Sequence, residues 1–370
     1  MNARIRQISA AVSLACALAA CAAPDASSTT RPATTRSTIA LSNLDHLIAQ
    51  GAGDPEVVDL LMLRVSLLVD DAALDRIAVL TEMHAATAEE LLRRSRARAA
   101  AHRFEEASKD LDAAEHAGAS PARVRSQRAS LHVATGRADT ELTWLRSEAD
   151  RRPAFATHCA LALAEAAAGH VETADALYAT ALRELDTTSP FPAAAVWFAR
   201  GLMWSEQAGD TRRGAAMYDQ ALRHVPEYVA ANLHLAELEA ARGDLASAIA
   251  RLEGSTARVE DAESLAFLGT LHARAGQAAR GRDEIEHARR RFEALLERQP
   301  LAFADHAAEF FLGAGADTQR GLYWARINLL ARETRRATAL ALRAAQQAGR
   351  DDEARDLAAR LAARFDPRAA

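Results

Sequence analysis

Apolar and small side chains form two runs in the stretch VAANLHLAELEAARGDLASAIARLEG, which starts at Val229. Leu235 and Ala236 hold positions 7 and 8 of this stretch, Gly243 holds position 15, and Ala248 holds position 20. Because glycine tolerates the backbone conformation that ends a helix, Gly243 predicts the end of one helix and the start of a second soon after it.

The same glycine turn recurs along most of the chain. The glycines at this turn position are Gly136, Gly169, Gly209, Gly243, Gly276 and Gly349. In two degenerate units, His102 and Ala316 occupy the turn position instead. The spacings, counted from His102, are 34, 33, 40, 34, 33, 40 and 33 residues. A near-constant interval predicts stacked helical units over residues 88–365, with insertions at "DTTSPFP" and around "RRRFEALLERQP".

This pattern resembles the tetratricopeptide repeat, a family of 34-residue units in which two antiparallel helices pack through small residues at positions 8 and 20. The resemblance implies an all-α, right-handed α-solenoid of eight or nine helical hairpins. Two units depart from the family pattern. Phe310 stands where a small residue is expected, and the unit with Trp197, Gly201 and Trp204 needs one extra residue in its turn.

The resemblance also implies a binding surface, because the first helices of such units line a concave groove that holds peptides or protein segments. We expect this groove to be lined by Arg123, Ser126, Ser130, Glu206, Gln207, Glu237, Glu263, Thr270 and Arg274, with Cys159, Leu163, Leu233, Arg336 and Arg343 at further groove positions. Each of these side chains also fits a solvated helix face. The cluster of Lys, Arg and Asn that binds acidic C-terminal tails is not present.

The N-terminus carries a targeting pattern. Arg4 and Arg6 precede 13 apolar and small residues, which is shorter than the roughly 20 that span a bilayer and is typical of a secretory signal. The following Leu-Ala-Ala-Cys resembles the lipobox of bacterial lipoproteins. This resemblance implies that the signal is cleaved after residue 20 and that Cys21 is acylated. Because Ala22 follows the cysteine, it also implies that the protein is sorted to the outer membrane. The alternative is an ordinary signal peptide in which Cys21 is incidental.

The rest of the N-terminal region divides by composition. Residues 21–40 begin with a Pro/Ser/Thr-rich segment and predict a disordered tether. Residues 41–86 predict a helix over Asn43–Gln50 and a helical hairpin over Asp54–Leu80, with its turn near Asp70. Residues 87–366 hold the repeats.

Composition supports this interpretation and limits the function. The chain is 49% hydrophobic and only 5% aromatic, and its alanine content favours helices. Its net charge is -5 and Lys109 is its only lysine, which gives no basic surface for nucleic acid. The three cysteines form no disulfide framework or C-x-x-C metal spacing.

Candidate chemistry is sparse. Motifs such as the P-loop, H-E-x-x-H and G-x-S-x-G do not occur, so no enzyme, cofactor or small-molecule substrate is predicted. Asp305, His306 and Glu309 could bind a metal from one helix face, but the same spacing fits a packed helix. The histidines at packing positions are His132, His158 and His272.

Aromatic residues offer two further candidates. Trp197, Phe198 and Trp204 have helical spacing that favours a core, with a ligand-stacking patch as the alternative. The sequence SPFP at residues 189–192 lies in an insertion and predicts an exposed loop that carries binding. Taken together, the sequence predicts a lipid-anchored periplasmic scaffold with an unidentified protein or peptide partner. The alternatives are an obligate subunit of a membrane complex and a metal-binding or enzymatic protein.

Overall fold

The computed structural model describes residues 36–51 and 53–365, and the predicted signal, Cys21 and most of the predicted tether lie outside this part of the chain. The described residues form α-helices and no strand. The helices are α1 (Arg36–Gln50), α2 (Val57–Leu68), α3 (Asp71–Met83), α4 (Ala88–Ala100), α5 (Phe104–His116), α6 (Pro121–Ala134), α7 (Leu142–Arg151), α8 (Phe155–Ala167), α9 (Val171–Glu184), α10 (Phe191–Leu202), α11 (Thr211–His224), α12 (Val229–Ala241), α13 (Leu245–Thr256), α14 (Ala262–Arg274), α15 (Ala278–Arg298), α16 (Pro300–Leu312), α17 (Thr318–Ala331), α18 (Arg335–Gln347) and α19 (Asp351–Phe365).

Helices α4 to α19 pair into eight hairpins, called here units 1 to 8, and α2 and α3 pair into an N-terminal hairpin. The predicted turns are confirmed, because the six turn glycines have φ between 67° and 91°. His102 and Ala316 adopt the same left-handed conformation, with φ of 57° and 49°. The left-handed turn therefore recurs at the predicted spacing even in the two units that have no glycine at this position.

Aspartates mark where several of the second helices begin. The side chains of Asp210, Asp244 and Asp317 each accept a hydrogen bond from a backbone N–H three residues later, at 2.9, 3.1 and 3.0 Å. Such a cap satisfies a donor that has no partner inside the helix. Together with the left-handed residue before it, the cap fixes each hairpin turn locally.

Both departures from the family pattern are accommodated by local changes. A π-helical segment, Met203–Gln207, follows α10 and absorbs the extra residue of that unit. Phe310 is buried and stacks on Phe292 with ring centroids 4.9 Å apart. Gly315 lies against the Phe310 ring, where a Cβ would collide with it.

The stacked units turn back on themselves. His102, at the turn of unit 1, places Nδ1 3.0 Å from the carbonyl oxygen of Leu301 in unit 7. Arg364 in the last helix donates to the carbonyl oxygen of Gly136 in unit 2, at 2.8 Å. Unit 1 therefore touches unit 7, so the solenoid closes after about one turn.

The N-terminal hairpin (α2–α3) lies inside this closed turn. Its apolar residues, among them Leu61 and Leu67, share one core with Phe198, Tyr228 and Leu235 from units 4 and 5. The C-terminal part of α15, a helix of 21 residues, also reaches the hairpin. Its Arg291 donates to Asp71 at 3.0 Å, and its Arg298 pairs with Asp75. The predicted insertion around RRRFEALLERQP thus lengthens α15, and the added part of this helix holds the N-terminal hairpin in place.

The disordered tether was predicted to extend to residue 40, and this boundary is wrong, because residues 36–40 belong to helix α1. The helix begins at Arg36, and Ser37 is buried. Among the described residues, no helix has the length and apolar character that crossing a membrane requires.

Candidate functional site

The centre of the concave surface is covered by the N-terminal hairpin. Helix α12 is buried on nearly every face, including the face that would point into an open groove. A helix that is buried all round lies inside a core. Of the predicted groove residues, Glu237 is buried and Glu206 and Glu263 are half-buried in this region, so the central groove is not open to a peptide.

A buried histidine organises the charges in the covered groove. The Nδ1 atom of His234 lies 3.4 Å from a Glu237 oxygen and 3.7 Å from a Glu206 oxygen. Its ring stacks on Tyr218 with centroids 5.3 Å apart. Burial lowers the pKa of His234, but the hydrogen bond to Glu237 and the charge of Glu206 outweigh burial and raise it. The carboxylates at these groove positions therefore balance an imidazolium.

Asp305, His306 and Glu309 lie close together, but each has a different partner. Asp305 is completely buried and accepts a 2.6 Å hydrogen bond from Arg332. His306 lies 2.6 Å from Glu263, and Glu309 pairs with Arg343. Within the described residues, no group of three or more His, Cys, Asp and Glu side chains could hold a metal ion.

These pairings shift the pKa values of Asp305 and His306. Burial alone would raise the pKa of Asp305, but the positive charges of His306 and Arg332 lower it far below its usual range. Burial would lower the pKa of His306, whereas Asp305 and Glu263 raise it to about 9. The cluster is a network of ion pairs between neighbouring units, and its carboxylates are already neutralised.

Other predicted groove residues lie at accessible positions. Arg123 and Ser126 on α6 are exposed, and so are Gln207 and Arg274. Ser130 and Thr270 are half-buried. Arg123 pairs with Glu89 across the first two units, so even this exposed residue has a local role.

The SPFP insertion was predicted to be an exposed loop, and this is wrong. Pro190, Phe191 and Pro192 are buried, because Phe191 begins α10 and joins the core that the N-terminal hairpin completes. The aromatic residues after it pack as the helical spacing predicted. Phe198 and Trp204 are buried, and the Trp204 indole donates to Asp175 at 3.0 Å.

The three histidines at packing positions each contact a glutamate on another helix or turn. His272 is fully buried and lies 2.6 Å from Glu284 on the second helix of its unit. His158 lies 2.6 Å from Glu184 in the same manner. His132 pairs with Glu141. All three therefore hold hairpins together.

An open cleft lies where the solenoid meets itself. It has a volume of about 780 Å³ between α5–α6 on one side and α17 and α19 on the other. Phe104, Leu131 and Leu329 give it apolar walls, and Leu330 on its edge is 83% exposed. We call it the inter-turn cleft. Sequence reasoning missed it, because its two walls lie about 200 residues apart in the chain.

Arginines outnumber acids in the inter-turn cleft. Arg128, Arg326, Arg332 and Arg360 each contact a carboxylate. Arg137 is exposed and reaches the hydroxyl of Thr135 at 3.4 Å, and no carboxylate in the described part of the chain pairs with it. The cleft thus combines an apolar wall with an available guanidinium.

The fold and its repeated turns define a helical-repeat protein built from antiparallel hairpins. Residues 206–274 match the tetratricopeptide repeat family model, so this part of the chain is similar to tetratricopeptide repeats.

Solved structures of other helical-repeat proteins are similar to this chain. A tetratricopeptide repeat protein from Parabacteroides merdae is 18% identical with a TM-score of 0.42, and the match covers 70% of this chain and 98% of that one. Yeast Tom70 is 12% identical with a TM-score of 0.36, covering 90% and 86%. The human IFIT1 dimer with PPP-AAAA is 12% identical with a TM-score of 0.45, covering 97% and 95%. No curated protein sequence matches the chain.

Proposed function

We propose that this protein is a scaffold that binds a protein partner in the inter-turn cleft. The observation that carries the proposal is the cleft itself, which is open and about 780 Å³ in volume, whereas the central groove is filled by the N-terminal hairpin. Tetratricopeptide repeats support an interaction role rather than an enzymatic one. The binding surface is therefore displaced from the groove to the junction between successive turns.

The chemistry of the cleft limits the partner. Leu330 exposes most of its side chain beside Leu329, which favours an apolar side chain in the partner. Arg137 has five N–H donors and no carboxylate partner among the described residues, which favours an acidic residue next to it. The partner segment is thus an extended peptide with an apolar residue and a neighbouring carboxylate.

We further propose that Cys21 anchors the scaffold to the outer membrane, facing the periplasm. This part rests on the resemblance of residues 18–21 to a lipobox and on Ala22. Several acyl chains on one cysteine give stable attachment, where a single chain gives only marginal binding. The scaffold would then serve envelope assembly, secretion or export.

A photo-crosslinking side chain at position 330 tests the cleft. We expect protein adducts at position 330 that are absent when the same side chain replaces Tyr323, which is exposed on the same helix but does not line the cleft. The adducts should disappear when Arg137→Glu is added. Equal adducts at both positions, or none at position 330, would contradict the proposal.

The anchor has a separate test. Mass spectrometry of the mature N-terminal peptide should find Cys21 as the first residue and carrying acyl chains, and Cys21→Ser should release the protein from the membrane fraction. A mature protein that starts elsewhere and is unacylated would overturn the anchor, and it would leave binding at the cleft intact.

A further inference from the structure

A cavity lies between the N-terminal hairpin and the surrounding solenoid. Its volume is about 140 Å³, and it is lined by Met62 and Val65 of the hairpin and by Phe198 and Phe292 of the solenoid. An engineered apolar cavity of about 150 Å³ binds benzene, so this one has room for about six heavy atoms. The cavity is separate from the inter-turn cleft, so a ligand held in it would bind whether or not a partner occupies the cleft.

The lining of the cavity is rich in acids, and three of the four have a cation. Asp70 accepts from Arg64 at 2.6 Å, Asp71 accepts from Arg291 at 3.0 Å, and Glu263 lies 2.6 Å from His306. The fourth is Asp261. In the described residues Asp261 forms no ion pair, so its negative charge is not compensated locally.

Asp261 is held rigidly with one oxygen unused. It caps α14, where Oδ1 accepts from the backbone N–H of Ser264 at 2.8 Å. Its other oxygen, Oδ2, is buried and has no hydrogen-bond partner among the described residues, although only 4% of the residue is exposed. Burial raises the pKa of Asp261 to about 6, although interactions with the side chain and the backbone N–H of Ser264 act to lower it, so the carboxylate is still mostly ionised above neutral pH. A buried acceptor without a donor costs free energy, and a ligand that donates to it recovers that cost.

The histidines in the lining do not cancel this charge. Burial lowers the pKa of His102 to about 3, so this ring is neutral. His234 lies beside Glu206 and Glu237, and His306 beside Glu263 and Asp305, so each imidazolium is already matched by carboxylates. The cavity therefore keeps a net negative potential.

The walls favour an organic cation over a metal ion. Phe198, Tyr228, Phe292 and Phe303 line the cavity, and the negative faces of aromatic rings attract ammonium groups, most strongly where water is excluded. The apolar walls would accommodate a hydrocarbon body of matching size. Carboxylate, aromatic rings and small volume together specify the ligand.

We propose that the cavity between the N-terminal hairpin and the solenoid binds a small organic ammonium ion with an apolar body of about six heavy atoms, whose N–H donates to Oδ2 of Asp261. Because the ligand would touch the hairpin and the solenoid together, its binding would also strengthen the attachment of the hairpin.

The test compares two probes of equal shape, cyclopentylamine and cyclopentanol, on the full-length protein by calorimetry at about pH 7.5, where Asp261 is ionised. We expect the amine to bind roughly tenfold more tightly than the alcohol, since it adds a charge-assisted hydrogen bond. Asp261→Asn should abolish this preference. Asparagine is as good a helix cap as aspartate, so the variant keeps the fold.

Asp244→Asn is the matched control, because Asp244 caps α13 in the same way and does not line the cavity. It should leave the amine preference unchanged. Val65→Phe, which fills the cavity, should remove binding of both probes. Equal binding of amine and alcohol, an unchanged preference in Asp261→Asn, or no binding of either probe to the wild-type protein would each overturn the proposal.

Discussion

The concave positions of α6 and α12 are equivalent in the repeat, but their surroundings differ. On α6, Arg123 and Ser126 are exposed, whereas on α12, Leu233 and Glu237 are buried. Both are first helices of a unit, although α12 is the more apolar. The N-terminal hairpin packs on units 4 and 5 and adds to this difference, while it leaves unit 2 open. A repeat position therefore determines where a side chain points, and a distant segment determines whether solvent reaches it.

Two ion pairs of the solenoid differ in burial in the same way. Asp305 and Arg332 pair in a fully buried site, whereas Glu89 and Arg123 pair at the surface. Breaking a buried pair leaves a charge without compensation, while breaking an exposed pair returns both groups to water. The two pairs allow a buried site and an exposed site of the solenoid to be compared directly.

The largest effect is expected from Asp305→Ala. This variant leaves the guanidinium of Arg332 buried without its carboxylate, and we expect the free energy of unfolding to fall by about 3–5 kcal/mol. Glu89→Ala breaks the exposed pair and should cost about 0–1 kcal/mol. Urea denaturation measures both. Similar losses would mean that the site of Asp305 and Arg332 is not sealed from water.

The closure of the solenoid can be tested at two glycines with the same backbone conformation. Gly136 and Gly169 have φ of 87° and 89°, so alanine at either should cost about 1–2 kcal/mol of backbone strain. A Cβ at position 136 would also overlap the carbonyl of Glu333, whereas position 169 faces open space. We expect Gly136→Ala to lose a further 1–3 kcal/mol, roughly the cost of overpacking. Equal losses in urea denaturation would argue against contact between the turns.

A pH dependence should follow from His306 in the covered region. Its pKa is about 9 in the fold and about 6.5 when unfolded, so it contributes stability fully below pH 6.5 and loses that contribution as the pH rises to 9. His234, whose pKa is also raised, acts in the same direction. The free energy of unfolding should therefore decline between these pH values. The decline should be smaller in His306→Gln, and an unchanged slope in that variant would assign it to other groups.

The smallest expected effect comes from the strained turn of unit 7. Ala316 has φ of 49°, which glycine adopts without a steric penalty, so Ala316→Gly should raise the free energy of unfolding by about 0.5–1 kcal/mol. Ala314→Gly, two residues earlier in the same loop, relieves no backbone strain, so it should lower the free energy of unfolding by about 0.5–1 kcal/mol. Thermal denaturation separates the two. A loss in Ala316→Gly would mean that the turn is not strained.

Most of the fold could be predicted from the sequence because its signals are local. A turn needs one residue with positive φ and a cap beside it, and both lie within a few positions of each other, as at Gly243 and Asp244. The spacing between turns correctly predicted that His102 and Ala316 occupy turn positions, although neither residue is a glycine. The need for one extra residue after Trp197 was also visible, and the π-helical segment supplies it.

The candidate site could not be predicted in the same way. The inter-turn cleft depends on the small rotation between successive units, accumulated over most of the chain, and no residue pattern reports that sum. The burial of Phe191 likewise depends on where the N-terminal hairpin docks. One signal was available. Asp71 and Asp75 are four residues apart on one helix, and Arg291 and Arg298 are seven apart on another, so each pair presents its charge on one face.

The contact between unit 1 and unit 7 limits how this architecture can evolve. Open solenoids lengthen easily when a gene duplication adds a unit, since each unit touches only its neighbours. Here an inserted unit would carry Leu301 away from His102 and Arg364 away from Gly136, and it would leave the hairpin in a groove of the wrong length. A lineage with this protein should therefore keep its number of units fixed and change through substitutions on the outer helices.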